Sequence, residues 1–256
     1  DRDYAGGERT YRQLCSVWAD ELGIAPAEET VRLYDKLVAL RHGDAPAASG
    51  DEPPLIGRYE PWERMRQAWK RVATDGSAML VVRGEAGIGK TRLALELRTL
   101  AERQGDAAAC ACCYASAKSL AYTPVAAWLR SFPVPELGAQ WLSELARLLP
   151  ELNDRFPDLP APEPLRDSWQ LARWYEAIER MLRSRQPLLL VLDDIQWCDD
   201  ETLRLLAYLL RSAASPGLLV VATLRTDEYA GDSVERLLAE LRSERKLATV
   251  DLGGLG

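Results

Sequence analysis

Eight consecutive residues, Gly84-Glu85-Ala86-Gly87-Ile88-Gly89-Lys90-Thr91, fit the phosphate-binding pattern G-x-x-x-x-G-K-[ST] at every constrained position. The glycines let the backbone curl around a phosphate chain with its N–H groups pointed inward and no side chain in the way. Lys90 is then expected to set its ammonium against the β- and γ-phosphates. The Thr91 hydroxyl is expected to hold Mg²⁺, and Arg92 follows on the helix that aims its positive end at the same anion. ATP or ADP is the ligand this chemistry calls for. A plain glycine turn between a strand and a helix is the alternative.

A second constellation lies about a hundred residues on. Leu188-Leu189-Leu190-Val191-Leu192-Asp193-Asp194 has the form of a Walker B strand, an apolar run that ends in acid. A carboxylate at the tip of a buried strand is costly unless a cation or donors meet it, which makes Asp193 the candidate Mg²⁺ partner beside Thr91. Asp194 is placed to orient the attacking water or accept its proton. The competing reading is that both acids cap the next turn, and Asp199 and Asp200 fall where a helix N-cap is expected. Arg225, one turn past the strand-like run that ends at Thr223, could read the γ-phosphate or stand as an exposed loop arginine.

The elements around these residues alternate helix and strand. Residues 78–82, 107–114, 188–192, 218–223 and 247–252 read as five strands. Helices are expected around Trp62 to Val72 and over 91–104, 168–184, 200–212 and 233–243, with Gly105 as a C-terminal stop and a Pro-broken helical stretch before Asp167. This pattern predicts an α/β fold, a P-loop NTPase with a five-stranded, mainly parallel sheet flanked by helices. Ligands in such sheets sit outside the carboxyl ends of the strands. Upstream, residues 8–22 and 27–40 are two amphipathic helices that meet at Gly23-Ile24-Ala25-Pro26. That hairpin is too small to be stable alone. The expected organisation is helices over 1–43, a Pro/Ala/Gly-rich linker over 44–54 and the nucleotide domain over 55–256.

Bulk composition excludes other classes. The 256 residues are 47% hydrophobic and 28% charged, an ordinary globular balance. Net charge is −7 with interspersed signs, which lacks the footprint of a nucleic-acid binder and places any DNA contact elsewhere. No apolar run is long enough to span a membrane and no signal peptide is visible, so a cytoplasmic protein is expected. Cys110, Cys112 and Cys113 lie too close together for the usual zinc spacing and read as a buried strand. Cys15 and Cys198 lack sequence neighbours, which suits a reducing compartment, and no catalytic role is expected for His42. A start at Asp1 and an end at Gly256, just after a strand-like stretch, are the pattern of a piece of a longer protein.

The stretches LIGRYEPW (55–62), GEAGIGKT, SLAYTPVAAWLR (119–130), WLSELARLLPEL (141–152), LLLVLDDIQWCDDETLRLLAYLLR (188–211) and LLVVATLRTDEY (218–229) together resemble the STAND-type AAA ATPase domain of large bacterial regulators. The D-D-x-Q-W-x-D extension is their most specific part. This resemblance implies an ATP/ADP-dependent signalling switch, with Gly57 and Arg58 near the adenine and Arg225 as the sensor arginine. The stretch GERTYRQLCSVWADELGIAPAEETVRLYDKLVAL (7–40) is similar to the closing helices of a bacterial transcriptional activation domain of SARP-type regulators. A winged DNA-binding domain precedes such helices in that family, and a helical lid follows the ATPase core. The resemblance also implies assembly in the ATP state. Two other readings stay open from the residues themselves. One is a small-molecule kinase with its acceptor near 131–167. The other is a scaffold that binds nucleotide without hydrolysis, because Asp194 stands where glutamate is more common and its shorter side chain sits farther from the water.

Overall fold

The structure, a computed structural model, describes residues 58–117, 120–212 and 217–253. The N-terminal helices and linker, Cys15, His42 and Gly57 lie outside the described residues. Short, mostly apolar runs become five strands, β1 (Ala78–Gly84), β2 (Ala107–Cys112), β3 (Leu188–Asp193), β4 (Leu218–Arg225) and β5 (Leu247–Asp251), with branched residues dominating β1, β3 and β4 and alanine and cysteine making up β2. They form one sheet in the order β2-β3-β4-β1-β5, and every pairing is parallel. Parallel strands need crossovers, which helices supply: α1 (Tyr59–Asp75) precedes β1, and α2 (Lys90–Arg103) carries the chain from β1 to β2. Three short helices follow β2, namely α3 (Thr123–Arg130), α4 (Ala139–Leu145) and α5 (Glu151–Arg155). Then come α6 (Ser168–Arg183), α7 (Asp200–Arg211) and α8 (Asp232–Ser243).

Both faces of the sheet are covered, which is why its strands read as continuous apolar runs. Successive side chains point to opposite faces. Val81, Leu190, Leu192, Val220 and Ala222 join the large core that contains Trp128 of α3, Ile178 of α6 and Leu206 of α7. Leu80, Val82, Leu189, Val191 and Val221 point the other way and are equally buried, on the side where α1 and α2 pack against the strands. Asp193 and Thr223 keep the period of this second set, so both face α2 at the C-terminal ends of adjacent central strands.

Three expectations change. β4 runs two residues beyond Thr223, so Arg225 ends the strand itself; β1 reaches Gly84 in the same way, because the two strands pair through Gly84↔Arg225. The cysteine-rich strand stops at Cys112 and lies at the sheet edge, where Ala109 and Ala111 are buried and Cys110 and Cys112 half-buried. Cys198 has a partner that sequence spacing could not reveal: its thiol meets that of Cys113, and this bond, with burial, pushes the Cys113 thiol up. Gly105, at φ 86°, follows Gln104 at the end of α2 as expected. Among the described residues no helix is long and apolar enough to cross a membrane.

Candidate nucleotide-binding site

The loop between β1 and α2 is shaped by its glycines. Gly87 and Gly89 sit at φ 76° and 98°, where an L side chain is strained. Gly84 is needed for space: a Cβ there would lie 2.8 Å from the Leu252 carbonyl oxygen and 3.0 Å from Ile88 Cγ2. The crest of the loop, Glu85, Ala86, Gly87 and Gly89, is exposed; Ile88 is half-buried and Lys90 is buried. Lys90 Nζ donates to the carbonyls of Gly84 at 3.0 Å and Glu85 at 2.8 Å. Burial lowers the Lys90 pKa; Arg225 adds to that, while Asp194, Asp227 and Asp193 oppose it. A desolvated ammonium of this kind gains from any anion that arrives. Arg92 lies exposed on the first turn of α2.

Arg58 stands behind the loop, donating to the Ile88 carbonyl at 3.2 Å and to the Gly253 carbonyl at 2.7 Å. It joins the phosphate loop to the residues just after β5. Leu252 holds the same region through its N–H to the Arg83 carbonyl at 2.8 Å.

At the ends of β3 and β4 the acidic residues are held by hydroxyls. Thr91 Oγ1 donates to the Asp193 carboxylate, 2.8 Å from Oδ1 and 3.1 Å from Oδ2. Thr223 Oγ1 donates to Asp193 Oδ1 at 2.6 Å and accepts the Asp194 N–H at 2.8 Å. Asp194 adopts a left-handed conformation, φ 56° and ψ 53°, which a non-glycine residue keeps only when its surroundings impose it. Its Oδ1 accepts from Gln196 Nε2 at 2.9 Å. Gln196 Oε1 in turn takes the Arg225 N–H at 3.4 Å.

Arg225 lies beside Gly84 in the sheet register, and its guanidinium pairs with Asp227 at 3.3 Å and Glu228 at 2.5 Å. The Asp227 carboxyl is held below its ordinary range, first by a backbone hydrogen bond and then by Arg225 and Lys90. Asp199 does cap α7, accepting from the Thr202 N–H at 2.8 Å. It also accepts from the Thr202 hydroxyl at 2.8 Å and the Tyr122 N–H at 3.1 Å, which ties the loop before α3 to the acidic turn.

The fold thus brings Lys90, Thr91, Asp193, Asp194 and Arg225 to one end of the sheet. Arg58 supports the phosphate loop from behind, and Gly57 lies outside the described residues. Sequence reasoning missed Thr223, Gln196 and the Asp227/Glu228 pair. A signal existed for the first, a polar residue near the end of an otherwise apolar run, because a buried hydroxyl needs a partner.

The donors suit Mg²⁺, since Thr91 and Asp193 offer hard oxygens side by side. Among the described residues no group of three or more His, Cys, Asp and Glu side chains is placed to hold a metal alone. An ion here would therefore complete its shell with phosphate and water, which is the habit of Mg²⁺.

The profile of the AAA ATPase domain matches residues 54–221, more than half of the chain. The chain belongs to this family. It is a P-loop ATPase, and the residues described above lie at the carboxyl ends of its strands, the side on which parallel sheets generally take ligands. Comparison with curated proteins gives no match.

Among solved structures, this AAA ATPase domain is similar to Cdc6p from Pyrobaculum aerophilum, at 16% identity and a TM-score of 0.48 over 79% of this chain and 47% of that one. A DNA replication initiation factor gives 15% identity and a TM-score of 0.44, over 78% of this chain and 48% of that one. AMPPCP-bound DnaA from Aquifex aeolicus gives 14% and 0.37, over 77% and 46%. The chain spans under half the length of each of these structures. Likenesses this distant do not bear on what the chain does.

Proposed function

We propose that this AAA ATPase domain is an ATP/ADP-dependent switch of a bacterial transcriptional regulator of the STAND, SARP-like type, whose slow hydrolysis acts as a timer. The observation that carries this reading is the hydrogen-bonded run from Thr91 through Asp193 and Thr223 to Asp194, continued by Gln196 to Arg225. It links the group that would hold the cation, the acid that would serve the water and the arginine that would read the γ-phosphate.

In this reading the loop N–H groups from Gly84 to Gly89 and the Lys90 ammonium neutralise the phosphates. Thr91 and Asp193 hold Mg²⁺, which when bound supplies further neutralisation of phosphate charge. Asp194 orients the attacking water and accepts its proton. Arg225 exchanges its carboxylate partners for the γ-phosphate when ATP is present, so ATP and ADP favour different arrangements by differential contact. Gly57 and Arg58 lie near the adenine. The output is conformation or assembly, with ATP favouring self-association. Residues 1–43 are the closing helices of a bacterial transcriptional activation domain. DNA is reached through a domain outside this sequence, a division supported by the net charge of −7.

Calorimetric titration of ATP and ADP in parallel with Mg²⁺, followed by light-scattering mass of each complex, tests this reading. A preference for ATP with an ATP-specific rise in mass is expected. Equal affinities and an unchanged mass would contradict it.

A further inference from the structure

Gln196 is 1% exposed, on the short 3₁₀ turn Ile195–Trp197 that follows the two acids. A buried primary amide is costly unless both its ends find partners. Among the described residues its side chain bonds to two groups only: Nε2 donates to Asp194 Oδ1 at 2.9 Å, and Oε1 accepts the Arg225 N–H at 3.4 Å. The opposite amide orientation would set a carbonyl against a carboxylate and an NH₂ against an N–H, so the chemistry of the partners fixes its direction. We propose that Gln196 is a positioning residue that couples Asp194 to Arg225, so that the hydrolytic carboxylate responds to the residue that reads the γ-phosphate. The proposal rests on the roles given above to Asp194 and Arg225.

Asp194 is held by its left-handed backbone, by Thr223 at its N–H and by Gln196 at its carboxylate. Of these three, only Gln196 also touches Arg225. The Arg225 guanidinium is shared between Asp227 and Glu228. A phosphate that draws it away pulls on the end of β4, and the Arg225 N–H carries that displacement to the amide. Gln196 donates nothing to the phosphate loop, so removing it should affect turnover and the preference for ATP without affecting how ADP is held.

The test measures Mg²⁺-dependent turnover per folded molecule and the affinities for ATP and ADP, using the full chain. The variants are Gln196→Met, Gln196→Glu, Arg225→Ala, the Gln196→Met/Arg225→Ala double variant and Asp194→Asn. Gln196→Met is expected to lower kcat about 10- to 100-fold, the loss typical of a misplaced catalytic group, with ADP affinity unchanged and the ATP preference reduced. Coupled residues do not act independently, so the double variant should be no slower than the slower single variant. Gln196→Glu keeps an acceptor for the Arg225 N–H but sets a carboxylate against Asp194. It should therefore lose turnover while keeping its preference for ATP, and it serves as the second variant if Gln196→Met does not fold. Wild-type kcat in Gln196→Met, or in Gln196→Glu where only that variant folds, would overturn the coupling, as would losses that multiply in the double variant. Undiminished turnover in Asp194→Asn would overturn the underlying site reading, and the coupling with it.

Discussion

Thr223 donates its hydroxyl to the Asp193 carboxylate at 2.6 Å, across two adjacent strands and 30 residues of chain. The same oxygen accepts the Asp194 N–H, so one buried side chain holds both acids. Thr223→Val keeps the shape and removes both bonds, leaving a buried N–H and a carboxylate each short of a partner. The expected cost is about 1–3 kcal/mol of stability in denaturant unfolding. Turnover per folded molecule should fall as well, since Asp194 loses its anchor.

Gly84→Ala tests the close approach of the phosphate loop to the segment after β5. Its methyl would lie 2.8 Å from a backbone oxygen, that of Leu252, and this atom cannot swing aside as a side-chain end can. Overpacking of this kind costs about 1–3 kcal/mol. The variant should show a lower urea midpoint and weaker binding of ATP and ADP alike, because the loop itself is displaced.

The carboxylates on Arg225 compete with any phosphate for its guanidinium. Glu228→Gln removes the shorter of the two ion pairs, 2.5 Å against 3.3 Å for Asp227. ATP affinity should then rise several-fold while ADP affinity stays as it was. Equal changes for both nucleotides would show that Arg225 does not discriminate between them.

Three tyrosines are expected to make stability fall at high pH. The hydroxyls of Tyr122, Tyr175 and Tyr208 are all held above the ordinary value of 10.0, each chiefly by burial. Above that value the unfolded chain releases protons that the folded chain keeps. Their contribution is therefore fully present below pH 10 and lost as pH rises beyond it. Urea midpoints should drop above pH 10. In Tyr122→Phe, which removes the 3.1 Å contact with the Tyr175 hydroxyl, the drop should be shallower.

The phosphate loop and the five strands were legible in the sequence because their signals are local. The glycine spacing, the lysine and the apolar runs each reveal themselves within a few residues. The order β2-β3-β4-β1-β5 was not, since it depends on pairings between distant segments. The last residues of β1 and β4 were missed for the same reason: Gly84 pairs with Arg225, and Arg83 lies between Leu224 of β4 and Asp251 of β5, all distant in sequence. Asp193 and Asp194 stood out as acids after an apolar run, whereas Thr223 looked like part of the next strand and Gln196 like one letter of a pattern. Their importance comes from a buried contact across strands, which spacing alone does not encode. Asp227 and Glu228 are close to Arg225 in sequence, yet only the loop conformation turns them back onto it.

Asp194, presented by Thr223 and Gln196, is expected to serve hydrolysis at this site. The most direct measurement is Mg²⁺-dependent ATP turnover by wild type and Asp194→Asn, with ATP binding followed on the same samples. Turnover abolished in the variant with ATP still bound is the expected result. Turnover that survives the substitution would contradict the assignment of the site.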